Sequence, residues 1–556
     1  MRRTLIGLAA GAAAFGATAI AIAQISSGVP NPQPREGTPP NVFASGVVAK
    51  PVALGSDALE NAIGQYAHYG FVSDKGVGSD VPTSGLDTKS EPDQNTYLVT
   101  SKNPGGPTKG YDYGRHFLIQ GHEIFGGSNN NIDKAYLTRI NLDVKDPAHR
   151  ITLLNEPGAE SNGVQSTGIR SIDGSNYDPF TGQLLFTAEA GKFGGVIATP
   201  LKWSGNSIPP LTRYFGSMGQ GGYEGIELDK RGNLIIIEDV GGSGVTDNGA
   251  ATKVKQPNSF VYRFVPAKPN DLTQGRLQAL QVSVDGTPIS FHTGADARDD
   301  ALGTPIAKLH SGAKLPGQWI TIHDTGVDGT DPFDANALAK AKGATPFKRP
   351  ENGKFVPDTD FKSFVFDETG DTDNTAGNYV SPVDGAKAAD RGAWGALLKI
   401  SWPKNSSGDT VSVRTIVNGD AQHASFDNVS FLDKNTLLVA EDRGDTLHKQ
   451  LNFLDSLWSF DLRKSLGSIN ADAKRLEAQG RDADAFADVQ KKEATPPVPD
   501  QNDGDNEVTG IHVSDGSTSI GGILGADDPA WENGTRTFVT QQHGANITFE
   551  LTKKKK

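Results

Sequence analysis

Glu224-Gly-Ile-Glu-Leu-Asp-Lys-Arg-Gly-Asn-Leu-Ile-Ile-Ile-Glu-Asp239 reads as a β-hairpin. An acid-bearing strand runs to Leu228, a turn holds Gly232 and Asn233, and Leu234-Ile-Ile-Ile237 ends on Glu238-Asp239. Gly and Asn supply the turn chemistry, and the β-branched run supplies the strand. Four consecutive apolar residues show no alternation, so this second strand is buried on both faces.

Two further stretches repeat the theme. Asp427-Asn-Val-Ser-Phe-Leu-Asp-Lys-Asn435 leads to Thr436-Leu-Leu-Val-Ala440 and then Glu441-Asp442. Asn176-Tyr-Asp-Pro-Phe-Thr-Gly182 leads to Gln183-Leu-Leu-Phe-Thr-Ala188 and then Glu189. Packed propeller blades bury inner strands in this way. The hairpins starting at Asn176 and Glu224 are spaced like such blades, whose period is ~40–50 residues. The pattern predicts an all-β fold, a β-propeller. Wider spacing further on calls for insertions between blades. Residues 465–493, rich in Ala, Asp, Lys, Arg and Gln, predict a helical insertion.

Composition narrows the chemistry. Hydrophobic residues at 36% against 21% charged support a folded core. The net charge of −13 argues against a nucleic-acid partner. It also repels anionic substrates unless bound cations invert the local field. The chain has no cysteine, which removes disulfides, thiolate metal sites and cysteine nucleophiles together. Gly241-Gly-Ser-Gly244 lacks the Gly-Lys-Ser/Thr of a phosphate loop, and no Gly-x-Ser-x-Gly elbow occurs.

The N-terminus sets expectations for export. Arg2 and Arg3 precede an apolar stretch ending in Ala21-Ile-Ala23, so residues 1–23 read as a signal peptide. The paired arginines permit twin-arginine export. Residues 24–60, rich in Pro, Gly, Ser and Ala, read as a linker, and 61–556 as one propeller domain with insertions. No second stretch is apolar enough to span a membrane. The expected product is an exported monomer, periplasmic or extracellular.

The polar residues of interest sit at strand tips: Glu123, Glu189, Glu224, Glu238-Asp239, Arg349 and Glu351, Asp427, Asp442 and Glu507. Taken singly, each is an ordinary turn residue. In a propeller such tips converge on one end of the channel, where carboxylates repel unless protonated or bound to a hard cation. Oxygen-rich clusters of irregular geometry suit calcium. The loop Asp367-Glu-Thr-Gly-Asp-Thr-Asp-Asn374 offers a second, peripheral calcium site.

Thr345-Pro-Phe-Lys-Arg-Pro-Glu-Asn352 and Glu507-Val-Thr-Gly510 resemble signatures of the PhoX-type alkaline phosphatases. The Glu224-Gly hairpin, Asp427-Asn-Val and Ser259-Phe-Val-Tyr-Arg-Phe-Val265 fit the same family. The resemblance implies a six-bladed propeller holding an iron–calcium cluster that hydrolyses phosphate monoesters, which are small-molecule substrates. It assigns phosphate binding to Arg349 and metal ligation to Glu224 and Glu351, with Glu189, Asp442 and Glu507 as further transfers. Glu123 and Asp427 join the metal set from the tip pattern. The family's iron-binding Thr-Cys-Glu-Glu tip is Thr187-Ala-Glu-Ala190 here, and the family's phosphate-contacting lysine has no clear counterpart. Calcium alone therefore stands beside iron as the expected cofactor. A non-catalytic, calcium-stabilised propeller that binds a ligand or partner stands as the alternative function.

Overall fold

The computed structural model describes residues 41–63, 66–70, 90–123, 135–155, 160–161, 164–165, 169–202, 209–405, 408–451, 453–479, 507–520, 534–542 and 546–554. The expected signal peptide lies outside these residues. The fold is all-β and propeller-like. Its innermost strands are β1 (Glu91–Val99), β2 (Ile172–Asp178), β3 (Tyr223–Leu228), β4 (Gly353–Phe355), β5 (Phe426–Asp433) and β6 (Glu507–Ser514). Each touches the next and β6 touches β1, so these strands close a ring around the channel.

Behind each inner strand the chain meanders outward. Leu234–Glu238 behind β3 shows why. Leu234 and Ile236 pack with Leu185 and Val196 of the preceding blade. Ile235 and Ile237 pack with Phe364, Phe366 and Leu398 on the other side. One strand thus feeds two inter-blade cores, which its unbroken apolar sequence requires. Each such side chain contributes about 1.5–3 kcal/mol by burial.

Six separate blade sheets are not what the structure shows. The sheets carrying β1, β2, β5 and β6 stand as separate blades. β3 and β4 belong to one continuous ten-stranded sheet. Leu315–Asp324 fuses its two halves by pairing with Asp271–Val284 on one side and Thr410–Asn418 on the other. Both neighbours are long strands with edges free to accept a further partner.

The linker expectation also needs correction. Val47–Ala53 pairs antiparallel with Ile547–Lys553, with Val47 opposite Lys553. Asn41–Phe43 pairs with Lys474–Gln479. Residues 41–53 therefore close the ring from the N-terminal side, and Ala58–Ile63 adds a strand to the first blade. Val47, Val52 and Ala53 are buried, which secures this segment despite its Pro and Gly content.

The helical insertion at 465–493 is a minor feature. Among the described residues of this stretch, only Ile469–Asp472 is helical, and Lys474–Gln479 is a strand. Leu476 and Ala478 alternate with polar residues and pack into the core beside Val508 and Val539. The period of two wins over the helix-like composition. Residues 480–493 lie outside the described residues. Short helices occur instead within the ten-stranded unit, at Ala297–Leu302, Thr304–Leu309 and Ala335–Ala341.

Candidate metal centre

The inner strands share a device at one end of the channel. In β1, Pro92 pairs with His122 and Asn95 with Gln120, so Asp93 and Gln94 oppose Gly121 alone. That is a β-bulge, which bends a strand and re-aims a side chain. Asp173-Gly174 in β2, Glu224-Gly225 in β3 and Asp427-Asn428 in β5 are bulged in the same way. Ahead of β4, Glu351 and Asn352 both donate their N–H groups to Asp367 Oδ1, at 3.2 and 2.7 Å. The bulge in β6 holds Gly510-Ile511 instead. The first bulge position thus carries Asp93, Asp173, Glu224, Glu351 and Asp427.

The second bulge position is small or an amide for a steric reason. A Cβ on Gly174 would lie 2.0 Å from the Glu224 carbonyl oxygen. One on Gly225 would lie 2.7 Å from the Glu351 carbonyl, which accepts the Gly225 N–H at 2.8 Å. Neighbouring inner strands approach this closely, and their acids approach with them.

The end of the partner strand adds a second set. The N–H of Glu189 donates to Ser171 O at 2.8 Å, Asp239 to Gly222 at 2.8 Å, and Asp442 to Ser425 at 2.9 Å. Thr369 donates to Arg349 O at 2.8 Å in the same pattern. Arg349 therefore occupies the place of Ser171, Gly222 and Ser425. Its φ of 52° is left-handed, like the 30° of Ser171 and 57° of Ser425. That conformation is unfavourable for a side-chain-bearing residue, and more so before Pro350. The strain is held by the Thr369 bond and by ion pairs. Arg349 Nη2 lies 2.8 Å from Asp239 Oδ2 and 3.1 Å from Glu351 Oε1. Thr369 Oγ1 donates to Glu351 Oε1 in turn.

Two acidic triads result. Asp93, Glu123 and Asp173 form one, and Glu224, Glu351 and Asp427 the other. Within each, one oxygen per residue lies within 4.8 Å of the others. All six residues are no more than 5% exposed. Burial first, and neighbouring carboxylates second, push Glu123, Asp173, Glu224 and Asp427 well above the usual carboxylate range. Burial raises Glu351 to about 8, with Arg349 holding it down. Glu123 Oε1, Asp173 Oδ1 and Asp427 Oδ2 have no hydrogen-bond partner among the described residues. Buried carboxylate oxygens in that state call for a cation.

All eight residues expected from the sequence meet at this end. Glu123, Glu224, Glu351 and Asp427 are in the triads. Glu189 flanks them under the charges of Asp239, Glu351 and Arg349. Glu507 stands beside Asp442 and Asp427, and burial raises it first, their charges next. The sequence reading missed Asp93 and Asp173. Asp173-Gly174 shows the same signal as Glu224-Gly225, an acid followed by Gly, whereas Asp93-Gln94 has no apolar run to frame it.

The peripheral calcium site at 367–374 is not formed. Asp367 serves the β4 bulge, Asp371 Oδ2 pairs with Lys348 Nζ at 2.9 Å, and Asp373 caps the helix Asn374–Gly377. These carboxylates have separate partners. Burial first, and the nearby Arg349 charge second, lower the pKa of Lys255.

The donor set is all oxygen. His122 follows the same strand, but Nδ1 contacts Ser90 Oγ at 3.2 Å and Nε2 contacts Thr138 Oγ1 at 2.8 Å. Ala188 occupies the tip where the resemblance leads one to expect a thiolate. The carboxylates fit hard cations such as calcium or magnesium. They do not fit an iron–thiolate contact.

The sequence of residues 254–523 matches the family described as alkaline phosphatase PhoX. Among solved structures, Pseudomonas fluorescens PhoX in complex with vanadate, a transition state analogue, is similar at a TM-score of 0.55 and 11% identity. That likeness covers 95% of this chain and 98% of that one, and it supports the fold. The Dos1 propeller has a TM-score of 0.31 at 10% identity, covering 85% of this chain and 93% of that one. A gluconolactonase from Xanthomonas campestris has a TM-score of 0.22 at 10% identity, covering 69% and 86%. No curated protein matches the chain. Residues 254–523 are thus similar in sequence to the alkaline phosphatase PhoX family, and the whole chain is similar in fold to a PhoX structure.

Proposed function

We propose that the protein is an exported, calcium-dependent phosphomonoesterase, acting as a monomer on small-molecule phosphoesters. The observation that carries this is Arg349 placed against Glu351 of a buried acidic triad. Bound hard cations supply the positive charge without which a dianionic ester is repelled from this site. Glu224, Glu351 and Asp427 would hold one, and Asp93, Glu123 and Asp173 another. Glu189, Asp442 and Glu507 complete the anionic wall.

The residues of the chain do the positioning. The planar guanidinium of Arg349 suits two phosphoryl oxygens at once. Asp239 holds it from one side through Nε and Nη2. Glu351, held by Thr369, faces it from the other. Preorganised charge of this kind lowers the barrier where charge moves onto phosphoryl oxygens. Lys255 adds a second cation near Arg349. The Gln94 side chain donates to Asn352 Oδ1 one bulge position beyond the triad acids, joining β1 to the strand opposite.

The ten-stranded sheet is read as two blades joined by Leu315–Asp324, with six inner strands in the ring. Export rests on the reading of residues 1–23. No helix among the described residues is long and apolar enough to cross a membrane.

The missing thiolate favours a second reading, a calcium-stabilised propeller that binds a ligand without turnover. Metal analysis of the purified protein, together with phosphatase assay of Glu351→Ala, separates the two. Calcium without iron, with turnover abolished in the variant, supports the phosphatase. Calcium without turnover in the wild type supports the binding propeller.

A further inference from the structure

Glu368 ends the strand Ser363–Glu368, one residue before Thr369. Its Oε1 accepts the N–H of Lys348 at 2.9 Å. Its Oε2 lies 2.7 Å from Nε2 of His310, and both side chains are fully buried. On the far side of the ring, His310 Nδ1 donates to Ile306 O at 2.9 Å. A carbonyl oxygen only accepts, so Nδ1 carries a proton. Two acceptors cannot face each other at 2.7 Å, so a further proton lies between Nε2 and the carboxylate.

His310 comes from outside the ring of inner strands. It follows the helix Thr304–Leu309, in the segment between Asp271–Val284 and Leu315–Asp324. Thr415 Oγ1 donates to Leu309 O and Asn418 Nδ2 to His310 O, each at 2.8 Å. Gly392 covers the ring: a Cβ there would lie 2.6 Å from His310 Nε2.

The carboxylate that His310 backs is part of a repeat. Glu441 precedes Asp442 as Glu368 precedes Thr369, and Glu441 Oε1 accepts the Ala424 N–H at 2.9 Å. Ala424 precedes Ser425, the counterpart of Arg349. Glu441 is backed from two residues on, by Arg443 Nη2 at 2.7 Å from Oε1. The counterpart of Arg443 is Gly370, which has no side chain to offer. His310, 58 residues away in sequence, takes that place.

Three bonds clamp the turn at Arg349. Glu368 takes the Lys348 N–H, Gly370 N donates to Lys348 O at 3.1 Å, and Thr369 N donates to Arg349 O at 2.8 Å. A left-handed residue such as Arg349 persists only where its surroundings over-determine it. Two of the bonds are made by backbone. The third depends on how the Glu368 side chain is held.

We infer that His310 is a positioning residue for Arg349: it fixes the Glu368 carboxylate, which holds the Lys348 amide and with it the strained turn that aims the guanidinium. The kinetic consequence rests on the phosphatase reading; the clamp itself does not.

The test uses the calcium-loaded protein with His310→Leu, which removes the donor to Glu368, and His310→Gln, which keeps an amide N–H in place of Nε2–H. Hydrogen exchange at the Lys348 amide is read by mass spectrometry of overlapping peptides, beside kcat/KM for p-nitrophenyl phosphate. In His310→Leu, Lys348 is expected to exchange about tenfold faster and kcat/KM to fall about tenfold, the scale of one lost charge-assisted hydrogen bond. Amides of Leu234–Glu238 keep their wild-type rates, and His310→Gln restores both quantities. Unchanged Lys348 exchange in His310→Leu overturns the inference. So does protection lost equally over Leu234–Glu238, which marks a general loss of stability. Faster Lys348 exchange with kcat/KM unchanged in an active enzyme overturns it as well. If wild type hydrolyses no ester, the phosphatase reading fails by itself, and the exchange pattern decides the clamp. If His310→Leu does not fold, the comparison is made in Glu368→Gln, where no buried charge is left behind. Faster Lys348 exchange in the double variant than in Glu368→Gln then supports the inference, and equal rates overturn it.

Discussion

Arg349 Nε donates to Asp239 Oδ2 at 2.8 Å, and Nη2 lies 2.8 Å from the same oxygen as an ion pair. The other Asp239 oxygen, Oδ1, has no hydrogen-bond partner among the described residues. Asp239 thus orients the guanidinium with one oxygen and keeps the other buried without a partner among the described residues. It belongs to the third blade, whereas Arg349 precedes β4. The relative setting of the two halves of the ten-stranded sheet fixes the Arg349 guanidinium.

Arg349→Lys keeps the charge and loses the fork that a carboxylate or phosphate matches. Its kcat/KM for a phosphate monoester is expected to fall on the order of 100-fold, the scale of losing an oriented donor. Asp239→Asn is expected to lower kcat/KM less, since the side chain still accepts one hydrogen bond. Steady-state kinetics of the two variants checks the order. A larger loss from Asp239→Asn than from Arg349→Lys would contradict the assignment.

Asp173 and Asp427 sit among other carboxylates with an oxygen unsatisfied. Asp173→Asn removes repulsion, so the chelated variant is expected to melt higher than chelated wild type, by roughly 2–4 °C. The same change removes a cation ligand, so its gain in Tm on adding calcium is expected to shrink. Scanning calorimetry with and without calcium reads both signs. A variant that gains as much from calcium as wild type does would remove Asp173 from the cation site.

Glu477 is buried away from the metal centre, and burial raises its pKa to about 8. A carboxyl raised above its unfolded value, about 4.5, is neutral in the folded state at low pH and costs nothing there. As pH rises from about 4.5 toward 8 the unfolded chain ionises first, and stability is lost. Glu477→Gln removes this dependence. The variant is expected to equal wild type near pH 4.5 and to exceed it at pH 8 by on the order of a few kcal/mol. Urea melts at the two pH values check the sign. An advantage at pH 4.5 that vanishes at pH 8 would contradict the burial argument.

Val47–Ala53 closes the ring against Ile547–Lys553. A chain begun at residue 54 is expected to unfold at lower temperature and with lower cooperativity than one begun at residue 40. Differential scanning calorimetry compares them. Equal melting temperatures would show that the closure adds no stability.

The sequence was legible where one local signal determines the outcome. Leu234-Ile-Ile-Ile237 admits only burial on both faces, and the acids at Glu224 and Asp427 lie in hairpins that such strands define. Asp93 was not legible because no apolar run frames it, and only the bulge opposite Gly121 brings it into the acidic triad. Lys474–Gln479 reads as helix by composition, and it is a strand because it pairs with Asp455–Asp461 on one edge and, on the other, with Asn41–Phe43, more than 400 residues away in sequence. The same long-range pairing turns residues 41–53 from linker into closure. The fusion through Leu315–Asp324 is likewise invisible locally, since it depends on which strand edges are left exposed.

The central claim is that the carboxylate triads make Arg349 useful only when cations occupy them. The direct test is hydrolysis of p-nitrophenyl phosphate by chelator-treated protein during titration with calcium, with no iron present. The account predicts no turnover before calcium, and turnover that saturates with calcium occupancy and is absent in Glu351→Ala. Turnover that persists in chelator, or none at any calcium concentration, would contradict it.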